Sequence, residues 1–286
     1  MNTEKVTGTS PAIPTADIYQ VIAVRMGTRA TLRSDVYLNY HLYGERDGPA
    51  VVDYYFWVIR NQRHTVIVDT GFSAAAGGKR NRDLIIHPRA ALEELDIDPA
   101  KVQHVILTHG HYDHIGNADI FTAATLHMAE SEYRFWTSPT SAHTQFSYFS
   151  EPQELDHLRI GLESGRLRLF SGRTEPVPGV EIVEVGGHTP GQAMVYAPTT
   201  DGLVLLASDA VHFYEELERD MPFTAVSDLP AMYRAFNHIR EESRTRKIIV
   251  VPGHDPDVLH RFEPFKGGLY GNAITIGQHQ MPPKEK

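Results

Sequence analysis

The chain has 286 residues, 41% hydrophobic and 22% charged, the balance of a folded globular protein, which excludes wholesale disorder. No run approaches the roughly 18 consecutive apolar residues of a membrane-spanning helix, so no membrane partner is expected. Lys and Arg number 27 against 36 Asp and Glu, a net charge of −9, which argues against nucleic acid as a partner.

Residues 1–17 are polar and Pro-containing and are expected to form a loose arm. They lack the apolar stretch of a secretory leader, which predicts a cytoplasmic protein, or a mature one whose leader is gone. From Tyr19 onward, short β-branched and aromatic runs recur between Gly, Pro and Asp. In order they are YQVIAVRMG, VVDYYFWVIR, HTVIVDTG, VQHVILTH, EIVEV, QAMVYAP, GLVLLASD and KIIVVPGHD. All eight read as strands. Apolar residues at three- and four-residue spacing mark helices in PRAALEELDID, ESEYRFWTS, YEELERDM and LPAMYRAFNHIREES,. No interior linker divides the chain, so residues 18–275 are expected to form one domain of two sheets with helices outside, followed by a tail over 276–286. The aromatic stretch from about 139 to 165 reads either as a lid over a pocket or as an insertion packing Phe146, Tyr148 and Phe149 into a satellite core.

With no cysteine in the chain, disulfides, thiolate nucleophiles, iron–sulfur clusters and Cys-ligated zinc are excluded,. Any metal site must use His and carboxylate, and His is abundant at 16 residues. The strand VQHVILTH runs directly into His109-Gly110-His111-Tyr112-Asp113-His114, four potential ligands in six residues. Alternation puts His109 and His111 on the same side of an extended exit, able to share one ion. Asp113 and His114 lie where the loop must curl, and can face a second. Three later segments repeat the format of an apolar strand ending in a polar ligand: His188 after EIVEV, Asp209 after GLVLLAS and His254 after KIIVVPG. Strand ends are where a rigid sheet offers loops for chemistry. Asp69 closes a fourth strand and is better suited to orienting a ligand than to binding metal.

These motifs, Asp69-Thr70-Gly71, the cluster from His109 to His114, His188 in GGHTPG, Asp209 in SDA and His254 in PGHD, resemble the metallo-β-lactamase superfamily over nearly the whole chain. Within it the chain is similar to the N-acyl homoserine lactone lactonases, through its cysteine-free second site, the aromatic strand YYFWVIR and its length. The resemblance implies a layered α/β fold, an αββα sandwich of two mixed β-sheets flanked by helices. It implies two zinc ions, one held by His109, His111 and His188 and the other by Asp113, His114 and His254, with Asp209 bridging. Iron or manganese suits the same donors. Such lactonases carry a Tyr three residues after the bridging Asp. This chain has His212 there, able to donate a hydrogen bond in its place, with Tyr214 as the nearby alternative.

The expected activity is opening of a lactone ring, with N-acyl homoserine lactones as first candidates and quenching of bacterial signalling as the consequence. A hydroxide between the metals attacks the carbonyl carbon, His212 assists at the oxyanion, and Asp113 passes the proton to the leaving alkoxide. No GxSxG nucleophile elbow competes with this scheme. The alternatives are a hydrolase of another small lactone or ester, and a thioester hydrolase of the glyoxalase II type that would use Lys79, Arg80 and Arg82. A ligand sensor without turnover would require a damaged ligand set, and here all seven positions are filled. A homodimer stays open.

Overall fold

The computed structural model describes residues 18–277. The expected arm over 1–17 and the tail beyond 277 lie outside the described residues. Ile276, placed at the start of that tail, is instead the last residue of a strand and fully buried.

The first half of the chain supplies strands β1 (Gln20–Leu32), β2 (Pro49–Arg60), β3 (Thr65–Val68), β4 (Asp83–Leu84), β5 (His104–Ile106), β6 (Thr125–Ala129) and β7 (Leu167–Phe170). The second half supplies β8 (Arg173–Val177), β9 (Val180–Glu184), β10 (Ala193–Thr199), β11 (Gly202–Ser208), β12 (Ile248–Pro252), β13 (Glu263–Pro264) and β14 (Ala273–Ile276). One sheet has the order β13-β14-β1-β2-β3-β5-β6-β7, with β4 paired to β1; the other runs β12-β11-β10-β9-β8. Both are mixed: β3, β5, β6 and β7 pair in parallel in the first, and β11 and β12 in the second. The short strands β4, β6, β7, β8, β13 and β14 escaped the sequence reading because two to five residues carry little pattern.

Successive residues of a strand face opposite ways, and β2 uses both faces. Tyr55, Trp57 and Ile59 join Val21 and Ala23 against Ile182, Val195, Val204 and Leu206 of the second sheet. Tyr54, Phe56 and Val58 face outward, in the core that also holds Ala91, Leu92 and Leu158 from the covering helices Pro88–Glu94 and Pro152–Glu163. Burial on both faces is why VVDYYFWVIR reads as an unbroken apolar run. On the far side, the helix Leu229–Thr245 lays Met232, Ala235, Phe236 and Ile239 onto Met194, Tyr196 and Leu205. The spacing is that of one helical face, and Asp228 caps the helix by accepting from the Ala231 N–H at 2.9 Å,. Four layers result, helices, sheet, sheet and helix, in agreement with the αββα expectation. No helix among the described residues is long and apolar enough to cross a membrane.

The carboxyl ends of β3, β5, β11 and β12 come out at one edge of the sandwich. Two backbone hydrogen bonds lock that edge: Asp69 N to Ile106 O at 2.8 Å, and, across the two sheets, Ala193 N to Thr108 O at 2.9 Å.

Candidate metal centre

The loops at this edge converge. His109, His111, His188 and Asp209 form one group and Asp113, His114 and His254 another, the donor atoms of each lying within 4.8 Å of one another. The loop after β5 stays extended through His111, then enters the short helix Tyr112–Ile115, which turns Asp113 and His114 toward the second group. Close approach fixes the glycines here: a Cβ on Gly253 would lie 2.7 Å from Ser208 O and 2.8 Å from Asp209 Oδ1.

Asp209 divides its two oxygens between the groups. Its Oδ2 lies 3.2 Å from His188 Nε2 and 3.7 Å from His109 Nε2, while its Oδ1 lies 3.1 Å from His254 Nε2 and 3.3 Å from His114 Nε2. Asp113 Oδ2 is 3.8 Å from His114 Nε2 and 3.9 Å from His254 Nε2.

The rings are aimed by what holds their other nitrogens. His114 Nδ1 donates to Asp69 Oδ2 at 2.7 Å, His188 Nδ1 to Ala225 O at 2.6 Å and His254 Nδ1 to Asp53 O at 2.8 Å. Thr108 Oγ1 donates to Asp69 Oδ2 at 2.9 Å, so it is free to accept from His109 Nδ1 at 3.2 Å. Each bond selects the tautomer whose Nε2 lone pair faces the centre. Asp69 is fully buried, with a backbone φ of +59° that Asp tolerates better than most residues,. It orients His114 and stands outside both donor groups.

Electrostatics favour cations at this place. Burial, reinforced by neighbouring imidazoles, holds His109 and His111 well below the usual histidine range and brings His188 down to about 3, so these rings present lone pairs,. Burial pulls Asp209 upward, but the surrounding His254, His114, His212 and His188 outweigh it and keep the carboxyl well below its ordinary range. For His114, burial pulls downward and Asp209, Asp69 and Asp113 more than offset it, raising the ring. A field that stabilises a proton there equally stabilises a metal cation. His109 Nε2, His114 Nε2 and Asp209 Oδ1 are buried and make no hydrogen bond, and His111 Nδ1 faces His188 Nε2 at 3.0 Å. Buried lone pairs pointed at one another are costly unless a cation lies among them. The donor set, nitrogen and oxygen without sulfur, suits zinc, iron or manganese.

His212 reaches the same place, with Nε2 3.1 Å from Asp209 Oδ2 and its ring stacked on Phe223 at 3.9 Å. Burial lowers its pKa, yet Asp209 and Glu216 raise it to about 9. Tyr214 points elsewhere, packing against the inter-sheet core with the Arg261 guanidinium 3.6 Å from its ring centroid. A cavity of about 300 Å³ opens over the centre, bordered by His111, Asp113, His212 and His254 and walled by Tyr54, Tyr148, Phe149 and Phe223. An adjoining cavity of about 470 Å³ is lined by Phe135, Trp136 and Phe146. The 139–165 stretch therefore supplies cavity wall through Phe146, Tyr148 and Phe149, and Leu158 of its long helix packs in the outer core. His143 and His157 of that stretch are exposed and line neither cavity.

Two acidic residues that hold the centre in shape were not singled out from the sequence. Glu132 is fully buried and accepts from Gly110 N at 2.8 Å, Gly191 N at 2.8 Å and Trp136 Nε1 at 2.6 Å, tying the His109–His111 loop to the His188 loop. Nothing local in ESEYRFW announces this, because both loops are distant in sequence. Glu216 accepts from the backbone N–H of His212 and Phe213 at 3.0 and 3.2 Å and lies 3.2 Å from His212 Nδ1. A signal was available there: Glu at the third helical position reaching back to the cap.

A family model described as the metallo-beta-lactamase superfamily matches residues 51–270. The chain belongs to that superfamily. Among curated relatives, an N-acyl homoserine lactonase of Bacillus cereus is 24% identical over 217 residues, 70% of this chain and 80% of the relative. One from Bacillus thuringiensis is 28% identical over 165 residues, 57% of this chain; the match spans only 60% of that relative's length. The crystal structure of a quorum-quenching N-acyl homoserine lactone lactonase superposes with a TM-score of 0.70 at 20% identity, covering 84% of this chain and 93% of the other. A dizinc quorum-quenching lactonase with a bound product superposes at 0.61 and 14% identity, covering 93% and 100%. Within the superfamily the chain is lactonase-like, and at these identities the superpositions speak for the fold.

Proposed function

We propose that the protein is a metal-dependent hydrolase that opens a lactone ring, with N-acyl homoserine lactones as its first candidate substrates and quorum quenching as the consequence. The observation that carries this reading is Asp209, whose two oxygens face two separate groups of imidazoles beneath a cavity of about 300 Å³. His109, His111, His188 and Asp209 would hold one ion, and Asp113, His114, His254 and the same Asp209 the other. Zinc, or iron or manganese in the same donors, supplies Lewis acidity and a water acidic enough to attack at neutral pH.

The chain's own residues do the rest. Phe149 and Phe223 border the site and exclude water from one side of the bound ring,. His212 Nε2 donates to the substrate carbonyl oxygen as it gains charge. A carboxylate oxygen of Asp113 takes the proton of the attacking water and returns it to the leaving alkoxide, so that water adds across the ring C–O bond and a hydroxy acid departs.

Two features weigh against the glutathione-thioester alternative. Lys79 and Arg80 are engaged with Glu151 at 2.6 and 2.7 Å, and Arg80 also donates to Tyr148 O, so only Arg82 of that basic trio borders the cavity. The test is turnover of N-hexanoyl homoserine lactone before chelation, after it and after zinc is restored, beside an acylglutathione. Loss on chelation and recovery with about two equivalents of zinc is expected. Indifference to the lactone, or a rate untouched by chelation, overturns the proposal.

A further inference from the structure

Arginines in this chain are mostly committed. With 36 acidic residues against 27 basic ones, carboxylates are available almost everywhere, and Arg25, Arg33, Arg80 and Arg240 each form an ion pair. Arg29 and Arg82 are among the arginines without one, and these two border the cavity over the candidate metal centre. Arg29 projects from β1, where it lies opposite Val52. Among the described residues it makes no hydrogen bond or ion pair. Arg82 donates through Nε to Tyr112 Oη at 3.2 Å and through Nη1 to Arg80 O at 2.5 Å, which fixes the plane of the guanidinium and leaves Nη2 unbonded.

The other charges on this wall are accounted for. Asp113 and Asp209 belong to the two donor groups, where bound cations would take up their charge. Asp35 is exposed and accepts from Thr31 Oγ1 at 2.8 Å, so solvent screens it. What the cavity offers a ligand away from the reacting bond is therefore positive charge in fork geometry, against an overall charge of −9,.

We propose that Arg29 and Arg82 recognise an anionic group on the substrate, and that the protein selects lactones carrying a carboxylate away from the ring carbonyl. A guanidinium held in plane matches a carboxylate through paired N–H bonds, and a partly enclosed site strengthens them. The uncharged remainder of such a substrate lies toward the aromatic cavity of Phe135, Trp136 and Phe146, which meets the first cavity at His111, Phe149 and His188. The inference takes the bond that is broken from the lactonase reading; the recognition of charge stands on the two arginines.

Two probes separate the possibilities: N-adipoyl homoserine lactone, which ends in a free carboxylate, and its methyl ester. In the metal-loaded wild type, kcat/KM for the acid is expected to exceed that for the ester by about tenfold or more, the scale of one charge-assisted hydrogen bond. The ratio should shrink as ionic strength rises, fall toward one in Arg29→Met and Arg82→Met, and recover in part in Arg29→Lys and Arg82→Lys. Calorimetry of the metal-loaded protein with the ring-opened product N-adipoyl homoserine gives a readout free of turnover, and binding should weaken by a similar factor in the Met variants. A wild-type ratio at or below one, or a ratio kept in both Met variants, overturns the inference even if both lactones are hydrolysed well. If neither lactone turns over but the acid binds better than the ester in the wild type and loses that advantage in Arg29→Met, the lactonase reading fails and the anion site stands.

Discussion

Glu132 offers the sharpest test of how the centre is held together. Its Oε1 accepts from Gly110 N and Trp136 Nε1, and its Oε2 from Gly191 N, all within a fully buried site. Burial raises its pKa, and those donors together with Thr189 oppose the rise by favouring the anion. In Glu132→Gln the amide oxygen can keep Gly110 and Trp136, but the NH2 group then meets the Gly191 N–H, donor against donor. One buried donor left unpaired costs about 1–3 kcal/mol, a large share of a stability of about 5–15 kcal/mol. Gly191 follows His188 in the same loop, so the strain falls on a candidate metal ligand, and loss of such an outer partner typically weakens metal binding about 10–100-fold. Glu132→Ala strands all three donors and should cost about 3–5 kcal/mol. Urea unfolding of the metal-free protein reads the first quantity, and competition for zinc with a chromophoric chelator reads the second. An Glu132→Gln protein with an unchanged urea midpoint and unchanged zinc affinity would refute the reasoning.

Two further outcomes are expected. Glu154 is buried and its pKa is raised from 4.5 to about 8, by burial first and then by Glu151. Between those values the folded state holds a proton that the unfolded chain releases, so this group makes stability fall as pH rises, by up to about 1.4 kcal/mol per pH unit. Glu154→Gln should flatten the stability profile from pH 5 to pH 8 in urea melts, and a slope equal to that of the wild type contradicts the assignment. At the centre, His212→Ala should lower kcat on a lactone substrate by about 100–1,000-fold, as loss of an oxyanion donor does. Tyr214→Phe, which alters a hydroxyl with no hydrogen bond outside the cavity, should stay within about twofold; the reverse ranking in steady-state kinetics would put Tyr214 in the role given to His212.

Much of the architecture was legible because its signals are local. A strand buried on both faces shows as an unbroken apolar run, as in VVDYYFWVIR, and a helix covering a sheet shows as Met232, Ala235, Phe236 and Ile239 at helical spacing. The candidate ligands were legible for a related reason: each closes an apolar strand, and four of them crowd into the six residues from His109 to His114. Their shared edge came from the pairing, since β3 with β5 and β11 with β12 run parallel and deliver their carboxyl ends together,.

What the sequence alone left open depends on directions and distances between segments far apart in the chain. It offered both His212 and Tyr214, and only the packed structure turns one toward Asp209 and the other against Arg261. It marked Lys79, Arg80 and Arg82 as one basic group, which folding splits by pairing the first two with Glu151 and leaving the third beside the cavity. Glu132 and Arg29 carried no local mark at all, because a buried carboxylate that spans two loops and an unpaired guanidinium on a cavity wall are defined by their neighbours. Periodicity and composition report which way a residue faces within its own element; which distant groups it meets is decided when the sheets stack and the loops close over their common edge.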